Sequence, residues 1–179
     1  RNIIINGAMN VAQRLHSGAT SATGKGDADG YFACDRWHID VGVSGDASAG
    51  RFTMSQDSSA PSEFANSLKL ACTTADTSVA SSAAGYFQHK LEGQDCQRIK
   101  KGTSSAEQLA VQFWVKSTKE GTYALQCQDN DNSRNFTTTY SISSADTWEK
   151  KTITIPADTT GALDDDNNVS LTFNFWLVA

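Results

Sequence analysis

From Leu109 to the C-terminus the chain repeats one pattern five times: a short run of alternating apolar and polar side chains, closed by a turn. The runs are Leu109–Lys116, Tyr123–Asp129, Phe136–Ile142, Trp148–Ile155 and Val169–Val178, at spacings of roughly a dozen residues. Period-two alternation is what a strand buried on one face requires, because successive side chains point to opposite sides. The joints carry turn chemistry: Lys119-Glu120-Gly121, Asp129-Asn130-Asp131-Asn132 and Asp158-Thr159-Thr160-Gly161. Composition agrees. Of the 20 acidic residues only Glu63, Glu92, Glu107, Glu120 and Glu149 are glutamates, so helix formers are thin and turn and strand formers abundant.

The first half reads the same way with weaker signal. Arg36 to Val41 alternates strictly, with Trp37, Ile39 and Val41 on one face and Arg36, His38 and Asp40 on the other. Arg51 to Gln56 is fainter. Ser67 to Cys72 puts Leu68 and Leu70 inward, and Gly85 to Leu91 is a further short strand. One helical turn is expected over Gly93 to Lys101, stopped by Gly102. Residues 1–15, with the Asn6-Gly7 turn signal, read as an edge strand or arm leading into a Gly/Ser/Thr loop from Ser17 to Gly30. Nine or ten half-buried strands in 179 residues predict an all-β fold, an antiparallel β-sandwich of the jelly-roll type over residues 16–179.

Charge and apolar run length narrow the partners. The net charge is −5 and the isoelectric point about 5.1, so there is no basic footprint for nucleic acid. The longest apolar runs, Ile3 to Ile5 and Phe173 to Ala179 (broken by Asn174), are far short of the roughly 20 residues a spanning helix needs, and no membrane insertion is expected. No apolar leader follows Arg1, and the apolar ending lacks a polar tail; the chain reads as a piece of a longer polypeptide. Cys34, Cys72, Cys96 and Cys127 form no C-x-x-C pair. Free buried thiols are favoured, with a Cys72–Cys96 bridge left open.

Sorting each late strand into two faces gives a core set: Leu109, Val111, Phe113, Val115, Tyr123, Leu125, Cys127, Leu171, Phe173, Phe175 and Leu177. The opposite set contains Gln112, Trp114, Gln126, Gln128, Asn174 and Trp176, with Arg36, His38 and Asp40 near the start. These are the residue types of a sugar site: an indole covers the apolar face of a pyranose, and amides and charged forks bond its hydroxyls. Trp114 and Trp176 are expected either to contact glycan or to be covered by the chain itself or by a partner.

Other chemistry finds little support. Asp27-Ala28-Asp29-Gly30, Asp129 to Asn132 and Asp164 to Asn168 offer oxygens that leave a structural calcium open, but none completes an EF-hand loop. A glycosidase needs two carboxylates at a fixed separation, and no pair stands out among the five glutamates. Cys34 and His38 lack an orienting third group. No enzyme activity and no cofactor are expected.

Several stretches together resemble virion proteins of tailed bacteriophages, notably marine ones. They are Arg1-Asn-Ile-Ile-Ile-Asn-Gly-Ala-Met-Asn-Val-Ala-Gln-Arg14, Asp35-Arg-Trp37, Ser67-Leu-Lys-Leu70, Leu91-Glu-Gly-Gln94 and Lys100-Lys-Gly-Thr-Ser-Ser-Ala106. Phe113-Trp-Val-Lys-Ser117, Gly121-Thr-Tyr123 and Ala145-Asp-Thr-Trp-Glu-Lys-Lys-Thr-Ile-Thr154 join them. Such proteins are tail-fibre or other virion surface components with a domain similar to jelly-roll carbohydrate-binding modules. The resemblance implies a virion location, a host cell-surface glycan and other virion proteins as partners, and a homo-oligomer, commonly a trimer. A purely structural virion component, such as a capsid decoration or fibre spacer, is the alternative. Two departures stand out: Leu15-His16-Ser17 where the family pattern often has Gly directly after Arg14, and an ending at Ala179 where that pattern continues with another strand.

Overall fold

The computed structural model describes residues 2–13, 20–22, 30–40, 51–81 and 83–178. The expected loop from Ser17 to Gly30 lies largely outside them, as do Val41, the Leu15–Ser17 departure and the Asp27–Asp29 motif. The described residues contain ten strands: β1 (Thr20–Ala22), β2 (Trp37–Asp40), β3 (Arg51–Asp57), β4 (Ser67–Thr74), β5 (Gly85–Glu92), β6 (Leu109–Val115), β7 (Gly121–Asp129), β8 (Arg134–Ile142), β9 (Glu149–Ile155) and β10 (Val169–Val178). One short helix among them, α1 (Gly93–Cys96), runs into a 3-10 turn over Gln97–Ile99. The sheets have the orders β1-β3-β4, β2-β5-β10-β7-β8 and β6-β9. The fold is all-β and antiparallel, as the alternation requires.

The backbone divides into two compact units, residues 1–4 with 90–175, and residues 5–89 with 176–179. Reading the sequence as an arm plus one sandwich does not announce this division. In the first unit, β6 pairs with β9 from Leu109↔Ile155 to Val115↔Glu149, and β7 pairs with β8 on one side and β10 on the other. These two layers form the sandwich. Phe113 of β6 stands edge-on to Tyr140 of β8 (5.1 Å between centroids) and to Phe175 of β10 (5.2 Å). Leu125, Cys127, Ile142, Ile153, Ile155, Leu171, Phe173 and Phe175 are buried between the layers. Each large apolar side chain withdrawn from water contributes roughly 1.5–3 kcal/mol.

In the second unit, β1, β3 and β4 form one sheet around fully buried Met54, and β2 pairs with the first half of β5. Trp37 and Ile39 are buried as their alternation predicts. For the N-terminal stretch, expected as an edge strand or an arm, the strand alternative does not hold. Residues 5–8 form a turn, and no strand occurs among residues 2–13. Asn6, with a left-handed φ of 56°, ties the segment down through its side chain. Its Nδ2 donates to the carbonyls of Val11 (2.8 Å) and Asp35 (2.9 Å), and its Oδ1 accepts from the Val11 amide. Asparagine tolerates that backbone region better than most residues, so the Asn6-Gly7 turn signal holds in a stretch without strand.

α1 is positioned by the chain it lies against. The Gly93 and Gln94 amides donate to the carbonyls of Asn168 and Asp166, satisfying orphan donors of the first turn. The helical stretch ends at Lys100 (φ 53°), whose N–H returns to the Gln97 carbonyl. That is two residues before Gly102, the expected stop.

Candidate functional site

The residues singled out from alternation do not all share one sheet: Trp114 and Gln112 are on β6, in the β6-β9 sheet, whereas His38 and Asp40 (β2), Gln126 and Gln128 (β7) and Asn174 and Trp176 (β10) belong to strands of the five-stranded sheet. In the second unit, β2 and β5 bring His38 opposite Gln88 and Asp40 opposite Tyr86. The Tyr86 hydroxyl donates to Asp40 Oδ2 at 3.0 Å. Gln88 Nε2 lies 3.0 Å from His38 Nδ1; with the amide donating, Nδ1 accepts and the ring proton sits on Nε2. Tyr31 meets the His38 ring edge-on at 4.8 Å, and Tyr86 packs at a 59° tilt and 4.8 Å against Trp176. Two aromatic pairs thus flank two polar pairs on one sheet face. Trp176, His38 and Asp40 were legible as outward residues; Tyr31, Tyr86 and Gln88 were not singled out. The alternation of Tyr86-Phe87-Gln88-His89 carried the signal for two of them, since Tyr86 and Gln88 oppose His89, which is fully buried.

Arg36 does not share that face by alternation. It occupies the turn before β2 with φ 73°, so strand periodicity does not reach it. It is exposed, and its charge acts on His89.

In the first unit, Asn174, Gln126 and Gln128 do come together. Asn174 pairs across the ladder with Gln126, and its Nδ2 donates to Gln126 Oε1 (2.9 Å) and more weakly to Gln128 Oε1 (3.4 Å). Thr172, next along the same face, accepts from Asn130 Nδ2 at 3.0 Å. The expectation of an open outward row needs correcting here. Asn174 and Thr172 are each only 3% exposed, and Asn174 Oδ1 is buried with no hydrogen-bond partner. A buried, unpaired amide oxygen costs about 1–3 kcal/mol.

Trp114 and Gln112 lie on the other layer of the first unit. Gln112 Nε2 donates to Thr152 Oγ1 at 3.1 Å, and the Lys150 ammonium sits 6.0 Å from the centre of the Trp114 ring. The expected single face carrying Trp114, Trp176 and the amides is therefore divided. Period two assigns a side to each strand, but Trp114 is in the β6-β9 sheet while β10 belongs to another.

The aspartate motifs are occupied by the chain's own groups. Lys101 Nζ makes ion pairs with Asp129 Oδ2 (2.6 Å) and Asp158 Oδ2 (3.1 Å) and donates to the carbonyls of Thr160 and Gly161, both at 2.8 Å. Arg134 donates through Nε and Nη2 to the two Asp158 oxygens. Burial pushes the Asp158 carboxyl up, but bonds from Arg134, the Thr160 amide and Lys101 outweigh it and hold the group down at about 2. Asp131 accepts from the Asp164 amide, and Asp166 accepts from the amide and side chain of Asn168. Among the described residues no group of three or more His, Cys, Asp or Glu could hold a metal ion.

The four cysteines are free, with Cys34, Cys96 and Cys127 buried and Cys72 exposed; the open Cys72–Cys96 pairing is not formed. Neither a family model nor a curated protein matches the chain.

Proposed function

We propose that this chain is a non-catalytic surface domain of a tailed-phage virion that binds host-surface glycans. The observation that carries the reading is the pairing of Tyr86 with Trp176 beside Asp40, His38 and Gln88. A tilted ring pair offers an apolar platform for a sugar's C–H face, while the half-buried Asp40 carboxylate and His38 imidazole supply bonds to its hydroxyls and buried Gln88 orients His38. The virion setting, the association with other virion proteins and a trimeric assembly rest on the sequence resemblance alone. One shallow face binds weakly, with a Kd of roughly millimolar to micromolar, and repetition of the domain in an oligomer raises avidity.

A purely structural virion role is the second reading. Trp114, half-buried and faced by Lys150, favours it, because that indole already has a covering group.

A glycan array probed with the chain, followed by titration of the best hit, tests the proposal. Trp176→Ala and Tyr86→Ala should each abolish binding with the fold retained by circular dichroism, although loss of either half-buried ring also lowers the melting temperature. Undiminished glycan binding by Trp176→Ala, or no hit on the array, overturns it in favour of the structural role.

A further inference from the structure

At one end of the first unit's sandwich the two layers leave a cavity of about 470 Å³. Its walls are inward-facing ends of strands: Leu109 and Ile155 from one layer, and Cys127, Phe136 and Leu171 from the other. The cavity is partly open to solvent, with Glu107, Arg134 and Ala157 of its lining exposed. It lies within the size range of small-molecule sites, about 300–1,000 Å³. Apolar walls with a few placed polar groups are the usual make-up of such a site.

The ionisable groups of the lining decide which guest suits it. Lys101, Asp129, Arg134 and Asp158 line it, but all four are engaged in ion pairs with one another. Their charges cancel pairwise. Glu107 also lines the cavity, and among the described residues its carboxylate has no ion pair or hydrogen bond. The spare charge is therefore negative and single. An anionic guest would face Glu107 with every cation already committed.

We propose that this cavity is a binding site for a small organic ammonium: an apolar aryl or alkyl body seated among Leu109, Phe136, Ile155 and Leu171, its cationic nitrogen against Glu107. The site is independent of the glycan face and stands or falls separately from it.

Methyl-labelled protein titrated with benzylamine, benzyl alcohol and benzoate tests the assignment. Benzylamine should shift the methyl signals of Leu109, Ile155 and Leu171 and saturate. Benzyl alcohol should bind roughly two- to five-fold more weakly, the worth of one partly exposed ion pair, and benzoate more weakly still. Glu107→Gln should reduce benzylamine to the level of benzyl alcohol. Ala157→Trp, at an exposed position on the cavity lining, should block all three probes without touching the core. Absence of saturable shifts at the wall methyls overturns the site; benzoate binding as well as benzylamine overturns the charge assignment.

Discussion

His89 has no solvent exposure, lies edge-on to Trp37 at 4.9 Å, and directs Nε2 to the Ile5 carbonyl at 3.0 Å. A carbonyl only accepts, so Nε2 carries the proton, and Nδ1 is left buried without a partner among the described residues. Charging this ring would bury a cation. Burial accordingly pushes its pKa below the usual 6.5, with Arg36 adding to the push and the Ile5 bond opposing it. The unfolded chain then binds the proton more readily than the folded one, so stability rises with pH. The contribution is fully present above about 6.5 and is lost as pH falls below that value. Urea midpoints at pH 7 and pH 5 should show this loss, and His89→Gln should show a smaller one. The thiols divide just as sharply. Burial lifts Cys34 to about 11 and Cys96 and Cys127 to about 12, and the thiolate is the reactive form. Iodoacetamide should modify Cys72 alone in the folded protein, and all four cysteines after denaturation; mass spectrometry of the digested chain distinguishes the outcomes. Alternation did not single out Cys72, because its strand, β4, becomes exposed from that residue onward.

Among the elements, α1 depends on one missing side chain. A Cβ at Gly93 would lie 2.0 Å from the Asp164 carbonyl oxygen and 2.7 Å from Ser170 Oγ. Backbone cannot retreat as a side-chain tip can. Gly93→Ala should cost about 1–3 kcal/mol, the usual range for overpacking, although alanine is the better helix former; a denaturation midpoint above the parent's would show the contact to be soft. The sequence announces this helix weakly and its reason not at all, since the carbonyls that receive it come from residues 164–168. The five late strands are the opposite case. Their limits were legible to within a few residues because each alternates and ends in turn chemistry that acts locally. Gly102 misled the reading of the helix end because its left-handed φ of 80° serves the loop after the helix, while Lys100 makes the stop.

For the molecule as a whole, periodicity assigns each strand residue to one of two faces and stops there. It placed Phe113, Phe173 and Phe175 on inner faces correctly, and it set Trp114 and Asn174 on the opposite faces, where Asn174 is nevertheless buried. Which strands become neighbours is decided by long-range pairing, and so Trp114 and Gln112 fell in one sheet while Trp176, Asn174, Gln126, Gln128, His38 and Asp40 fell in another. The same limit hid Tyr86 and Gln88, whose meaning comes from β2 lying alongside. Phe113 tests the layered packing directly. Its contacts to Tyr140 and Phe175 join the two layers of the first unit, and Phe113→Ala should cost about 3–5 kcal/mol, read from chemical denaturation. A loss under about 1 kcal/mol would mean that the layers close over the gap.

Lys101 is 10% exposed and Asp129 4%, and four oxygens surround an ammonium that has three hydrogens. That is the setting of a bound cation, except that this cation is covalently tethered. A dissociable ion would hold the end of β7 to residues 158–161 only while its concentration exceeded its Kd; a tethered one has no such threshold and cannot be chelated away. This clasp should therefore be indifferent to divalent ions and to chelators. Lys101→Met leaves Asp129 buried without a counter-charge, and should cost about 3–5 kcal/mol at neutral pH. The deficit should shrink in acid: the stability that Asp158 draws from its partners is complete above about 4 and drains away as pH falls through its folded value of about 2. Having built the cation into the chain, the fold exchanges a ligand it could lose for a residue that only mutation can remove.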